Sequence, residues 1–284
     1  MPHTANDLPI RLIALDMDGT LLNEEGEIPQ ENIHALFAAR DKGIHLAICS
    51  GRLPGDAGCF ASDAGLDDSF ILGLNGSYCL DKPNGSPIFI RYMEDKAVEA
   101  CLHILEAESV TYSTFGRNHI AISRPFRTGR ELENWGSHIE RKGLLEYSYG
   151  MDGINRQRAL GTNKIVYIER EDPERLKHIR QQIMLIPHLE VTSSWDNNIE
   201  IMPSDINKGI AVKELAGRLN LSAEQVMTLG DHDNDVTMLA YAGYGVAMGN
   251  ASPDAMAAAK YVTGDNNACG VAQAVWKYAL GERD

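Results

Sequence analysis

The sequence predicts an α/β protein in which a buried parallel sheet is interrupted by a second, α+β unit. Three observations carry that prediction. Short apolar runs at 12–15, 44–49, 226–229 and 245–248 have the unbroken hydrophobicity of strands covered on both faces. Helical periodicity separates the first two. From about Pro83 to Met202 the texture changes to more polar strand candidates, and the buried pattern resumes only at Val226.

Taken in order, Leu12-Ile13-Ala14-Leu15 runs straight into Asp16-Met17-Asp18-Gly19-Thr20. A helix is expected to open near Pro29, with Ile33, Leu36 and Phe37 at i, i+3 and i+4, and to stop at Gly43. Ile44 to Cys49 is the next strand, followed by Ser50-Gly51-Arg52. Phe70 to Leu74 reads as a strand ending in a turn at Asn75-Gly76. In the interrupting segment, Ile88 to Ile90, His119 to Ser123 and Lys164 to Ile168 are strand candidates that alternate with amphipathic helices. Lys208-Gly209 opens a helix, Val226 to Leu229 ends at Gly230-Asp231, and Gly245 to Met248 precedes Gly249-Asn250.

The 284 residues exceed the usual single domain of about 100–150 residues, which fits two units. A formal charge of -14 repels phosphodiester backbones, and the sequence has no basic patch to offset it, so nucleic acid is not an expected partner. No stretch approaches the roughly 20 apolar residues that cross a bilayer, and Met1 to Pro9 lacks the apolar run of a signal peptide. A cytoplasmic location without membrane attachment is expected. The five cysteines, Cys49, Cys59, Cys79, Cys101 and Cys269, are odd in number and scattered, which reads as free thiols.

Acidic residues at the carboxyl ends of buried parallel strands sit where open α/β sheets collect ligands. Asp16 and Asp231 both occupy such ends. Two carboxylates brought together repel each other unless a hard, oxygen-seeking cation such as Mg²⁺ lies between them. Asp18, two positions after Asp16 and followed by the turn signal Gly19-Thr20, can fold over its neighbour, so that one carboxylate attacks while the other moves a proton. A phosphate monoester repels nucleophiles by its own charge, so such a site needs cations and amide donors for the phosphoryl oxygens. Ser50-Gly51, Lys208 and the segment Gly230-Asp231-His232-Asp233-Asn234-Asp235 can supply them.

Those four segments, Asp16-x-Asp18-Gly19-Thr20, Ser50-Gly51-Arg52, Lys208-Gly209 and Gly230-Asp231-x-x-Asn234-Asp235, make nearly the whole chain resemble the haloacid-dehalogenase-like superfamily, in its Cof-type phosphatase branch. The resemblance implies a Rossmann-like doubly wound core, residues 1–83 plus 203–284, and an inserted α+β cap of the C2 type, residues 84–202. It implies Mg²⁺, with Asp16 as the nucleophile that forms an aspartyl-phosphate and Asp18 as general acid and base. Asp16, the backbone carbonyl of Asp18 and Asp231 would ligate the metal. Ser50, Gly51, Lys208 and Asn234 would bind phosphate oxygens, while Thr20 and Asp235 would support the site from behind and Asn75 and Asn250 are weaker candidates. Asp16 and Ser50 are 34 positions apart, too few for a domain, whereas residues 53–207 leave room for the cap.

The resulting expectation is a Mg²⁺-dependent phosphatase acting on a small phosphorylated metabolite such as a sugar phosphate, as a monomer or homodimer. A sugar phosphomutase with the same core chemistry and a non-catalytic phosphometabolite sensor are the alternatives; retention of both Asp16 and Asp18 argues against the sensor. His232 reads as solvent-facing, and His119 and His138 lack the spacing of zinc ligands. Arg117, Arg124, Arg127 and Arg130 are candidates to read a second anionic group on the substrate, and Trp195 reads as packing against the cap sheet.

Overall fold

The apolar runs that open the chain become neighbouring strands. In this computed structural model, which describes residues 9–124, 143, 145–193 and 197–281, the strands in chain order begin with β1 (Leu12–Leu15), β2 (His45–Cys49), β3 (Phe70–Gly73), β4 (Tyr78–Leu80) and β5 (Pro87–Ile90). There follow β6 (Tyr112–Phe115), β7 (His119–Ile122), β8 (Glu146–Tyr149), β9 (Lys164–Ile168), β10 (Leu189–Thr192) and β11 (Asn198–Pro203). The chain closes with β12 (Val226–Gly230), β13 (Tyr244–Ala247) and β14 (Tyr261–Val262).

Eight of these form one sheet in the order β14-β13-β12-β1-β2-β3-β4-β5. From β14 to β3 the neighbours are parallel, and β4 and β5 are added antiparallel. The unbroken hydrophobicity of β1 is explained by its surroundings. Ile13 and Leu15 point into one core cluster, with Leu36 and Ile48, while Leu12 and Ala14 point into another, with Val212 and Leu215 of the helix Lys208–Arg218. The helix predicted from Pro29 runs over Gln30–Asp41, with Pro29 as its N-cap and Ile33 and Leu36 buried.

One expectation is corrected. The strand Ile88 to Ile90, assigned from sequence to the inserted unit, is instead the outer strand of the large sheet. Phe89 packs there with Leu72, Cys79 and Leu215. An edge strand with one exposed side has the mixed polarity of a small-sheet strand, so composition does not distinguish the two.

The remaining six strands form a second sheet, β10-β11-β9-β6-β7-β8, antiparallel except for β7 and β8. One of its faces buries Ile165, Tyr167, Ile199 and Ile201 against residues such as Val98, Leu102, Ile179 and Ile183 on the helices Asp95–Ala107 and Pro173–Ile183. The other face carries Phe115, Ile120, Ile122 and Val166, and these pack with Leu53 and Leu74. Leu53 and Leu74 lie just past the carboxyl ends of β2 and β3, so the second sheet covers that edge of the first.

Candidate active site

Because β12, β1, β2 and β3 are adjacent and parallel, their carboxyl ends place Asp231, Asp16, Ser50 and Asn75 along a single edge. Asp16 follows β1, is 6% exposed, and donates its backbone N–H to the Leu229 carbonyl of β12 at 3.0 Å. Lys208, the first residue of the helix Lys208–Arg218, is fully buried. Its Nζ donates to Asp16 Oδ1 at 2.5 Å and to Asp235 Oδ1 at 2.6 Å. The Asn207 side chain caps that helix by accepting from Ile210 N–H, which fixes where Lys208 departs.

Asp235 is held in turn. Its Oδ2 accepts from the backbone N–H groups of Asp231 and His232 at 2.9 and 3.1 Å, closing the loop after β12 on itself. Thr20 Oγ1 donates to Asp231 Oδ1 at 2.9 Å. Gly19, at φ +80, lies so close to Asp231 that a Cβ there would sit 2.3 Å from Oδ2, so glycine is required for both conformation and space. Asn250 Nδ2 donates to the Gly19 carbonyl at 2.8 Å.

Carboxylate oxygens of Asp16, Asp231 and Asp235 all lie within 4.8 Å of one another. Burial raises the Asp16 carboxyl well above its ordinary value, and Asp235, Asp231 and Asp18 push it further against the opposing pull of Lys208. Asp231 is pushed up to about 7, first by burial and then by Asp235. Burial alone would lower the Lys208 ammonium, but Asp16 and Asp235 more than reverse this and hold it charged. The cluster thus holds three carboxylates and one ammonium, which bonds two of them. The cluster has an excess of oxygen donors and negative charge, a donor set that fits Mg²⁺.

Asp18 is turned outward. Its carboxylate, 56% exposed, accepts both arms of a fork from Arg52, Nε to Oδ2 at 2.8 Å and Nη2 to Oδ1 at 2.6 Å. Arg52 also reaches Asp56 Oδ2 at 2.9 Å and lies over the Phe60 ring. Ser50 is buried, and its hydroxyl accepts from Arg52 N–H at 3.1 Å, bending the chain around Gly51. Asn75, in the left-handed region at φ +55, donates its N–H to the Ser50 carbonyl and accepts from Asn234 Nδ2 at 3.3 Å.

A family model described as haloacid dehalogenase-like hydrolase matches residues 13–275, which span every group just described. The chain belongs to this family. Within it, the Cof-type branch is the one it matches. The hydrolase is 30% identical over 274 residues to the 5-amino-6-(5-phospho-D-ribitylamino)uracil phosphatase YcsE of Bacillus subtilis, covering 96% of this chain and 98% of that protein. It is 31% identical to phosphatase YwpJ of Bacillus subtilis, covering 93% and 98%. Among solved structures, a haloacid dehalogenase-like hydrolase from Bacillus subtilis superposes with a TM-score of 0.81 at 28% identity, over 94% of this chain and 99% of that one. One from Bacteroides thetaiotaomicron gives 0.81 at 24% identity, also over 94% and 99%, a likeness of fold. The hydrolase is a phosphatase, a phosphoric monoester hydrolase.

Its predicted site residues fall into three groups. Asp16, Lys208, Asp231, Asp235 and Thr20 form one bonded cluster. Ser50, Gly51 and Asn234 surround Asn75 beside it. Asp18 is joined through Arg52, a residue quoted in the second segment but given no role by sequence. Asp235, expected behind the metal site, is one of the three clustered carboxylates. His232 is half-buried rather than solvent-facing. His119 is buried between Ser148 and Gln157. Arg124 is engaged with Glu106 and the Val110 carbonyl, and Arg117 with the Gly85 carbonyl over the Tyr78 ring. Arg127, Arg130, His138 and Trp195 lie outside the described residues. Sequence reasoning missed Lys164 and Glu200, charged residues within otherwise apolar strands of the second sheet, which are buried beside Gly51 and Asn75. For Glu200 the signal was a charge between apolar residues of one strand, Ile199-Glu200-Ile201, whereas Lys164 opens β9 and gave no such signal.

Proposed function

We propose that this phosphatase hydrolyses a small phosphorylated metabolite through an aspartyl-phosphate on Asp16. The observation that carries the reading is the buried contact of Asp16 with Lys208 beside Asp231 and Asp235. Lys208 holds one oxygen of Asp16, leaving the other to attack phosphorus in line with the departing oxygen. As the bond from phosphorus to the leaving oxygen breaks, Asp18 gives that oxygen a proton. In the second half-reaction Asp18 takes a proton from water, whose oxygen attacks the phosphorus of the acyl phosphate and releases orthophosphate and free Asp16. Arg52 holds both Asp18 oxygens in its fork, and each proton transfer requires Asp18 to turn at least one oxygen toward the reacting group.

Ser50, Gly51 N–H and Asn234 are placed to receive phosphoryl oxygens, and Lys208 offsets charge as it is transferred. Asp16, Asp231 and the Asp18 carbonyl are the groups we assign to Mg²⁺, with Asp235 and Thr20 holding them in place. When bound, the ion supplies charge neutralisation between the nucleophile and the phosphoryl group. We assign reading of the leaving group to the inserted unit between Ile90 and Pro203, whose sheet covers the site edge. The names of relatives, among them the uracil-ribitylamino phosphatase above and the pyridoxal phosphate phosphatase YbhA of Escherichia coli, together with sugar phosphates, define the substrates to try first. The charge of -14 argues against nucleic acid as a partner, and five free cysteines fit a cytoplasmic location; no described helix is long and apolar enough to cross a membrane.

The test is orthophosphate release from p-nitrophenyl phosphate and that panel, with Mg²⁺ or with EDTA. The expected result is metal-dependent turnover that falls by on the order of 10⁴-fold in Asp16→Asn. Turnover that survives in Asp16→Asn would overturn the covalent route.

A further inference from the structure

Lys164 and Glu200 form an ion pair that is almost completely buried, 0% and 1% exposed at their side chains, in the second sheet. They sit diagonally on β9 and β11, whose register sets Glu200 opposite Val166. Lys164 Nζ lies 2.7 Å from Glu200 Oε2. Neither side chain spends its bonds within its own sheet alone. Lys164 Nζ also donates to the Gly51 carbonyl at 3.1 Å, and Glu200 Oε2 accepts from Asn75 Nδ2 at 2.6 Å. Glu200 Oε1 accepts from Asn198 Nδ2 at 3.2 Å.

The direction of each bond fixes the next. Glu200 accepts only, so it orients the Asn75 amide with its nitrogen toward the second sheet. That leaves Asn75 Oδ1 facing the site, where it accepts from Asn234 Nδ2 and lies close enough to Gly51 that a Cβ there would be 3.1 Å away. Lys164 anchors the other side of the same loop through the Gly51 carbonyl. The Gly51 peptide and the Asn234 amide, assigned above to the phosphate, are therefore set by charges that belong to the covering sheet.

We propose that Lys164 and Glu200 are positioning residues for the phosphate site: the pair couples the seating of the second sheet to the orientation of Gly51, Asn75 and Asn234. This rests on the phosphatase reading of that site. A burial as complete as this is costly for an ion pair, and an apolar pair of similar volume is commonly as stable or more so. The contacts to Gly51 and Asn75 give the pair a use that packing does not. Because it acts on the phosphate and not on the leaving group, its removal affects every substrate alike.

The experiment compares wild type with Lys164→Met/Glu200→Leu, with Asn75→Ala and with the triple variant. Steady-state kinetics on p-nitrophenyl phosphate and two phosphometabolites is measured together with competitive inhibition by inorganic phosphate and thermal unfolding. The double variant is expected to unfold near the wild-type temperature yet lose on the order of 10- to 100-fold in kcat/KM, equally for all substrates. Inhibition by inorganic phosphate is expected to weaken, and Asn75→Ala to add little to the double variant. Lys164→Met/Glu200→Gln, which keeps an acceptor for Asn75, should recover part of the loss. Wild-type kinetics in the folded double variant, losses confined to particular substrates, or losses that add fully to that of Asn75→Ala would overturn the proposal. Should the double variant not fold, wild-type phosphate inhibition in Asn75→Ala alone would overturn it. Failure of the underlying reading shows separately, as activity retained in Asp16→Asn.

Discussion

Lys208 and Lys164 are both fully buried at the junction of the two sheets, yet their surroundings shift them in opposite directions. Lys208 faces two carboxylates, Asp16 and Asp235, and its ammonium is held more firmly than in water despite burial. Lys164 is paired with Glu200; burial outweighs that partner, Lys208 adds repulsion, and its proton is held less firmly than usual. The cluster on the large sheet is thus overloaded with negative charge, an arrangement that makes sense for a centre meant to receive a cation. The pair on the small sheet balances itself and uses its remaining hydrogen bonds to grip the loops below.

The largest effect that tests this contrast is expected at Lys208. Lys208→Met leaves Asp16 and Asp235 buried without their cation, and should cost about 3–5 kcal/mol of unfolding free energy at neutral pH along with turnover. Urea denaturation measures it, and a variant that keeps wild-type stability would erase the distinction between the two lysines.

A metal linkage should be next in size. Asp231 is raised from 3.8 to about 7, so in metal-free protein the stability it contributes is present in the protonated form below 3.8 and is lost as pH rises through about 7. At the proposed metal site Mg²⁺ would have to displace that proton, so its stabilisation should grow over the same interval. Thermal unfolding with EDTA or excess Mg²⁺ at pH 5.5 and pH 8 should show a larger Mg²⁺-induced rise at pH 8. An equal rise at both values would remove Asp231 from the metal site.

The smallest effect belongs to an ion pair at the rim of the second sheet. Burial acts to raise Glu169, but the Tyr167 hydroxyl, the Glu171 N–H and Arg175 together lower it from 4.5 to about 2. Its contribution is present above 4.5 and lost as pH falls through about 2. Arg175 is 40% exposed, so solvent screening keeps the pair's worth low. Glu169→Gln should cost about 1 kcal/mol or less at pH 7 and flatten the acid limb of the stability profile. A loss as large as that of Lys208→Met would mean that burial does not separate the two kinds of site.

What could be read from the chain itself follows local rules. Apolar runs ending in Asp16, Ser50 and Asp231 announce strands buried on both faces and mark the sheet edge where ligands collect, because those signals depend on neighbours a few positions away. The helix start at Lys208-Gly209 and the turn at Gly19 are legible for the same reason. Tertiary structure alone decided the rest. Nothing local places Phe89 in the large sheet, turns Asp18 toward Arg52, draws Asp235 into one cluster with Asp16 across more than two hundred positions, or carries Glu200 to Asn75. Those pairings join segments that touch only after the sheets have formed, so their partners are set by strand order and by the burial that makes an unpaired charge costly, and neither is written in any short stretch of the sequence.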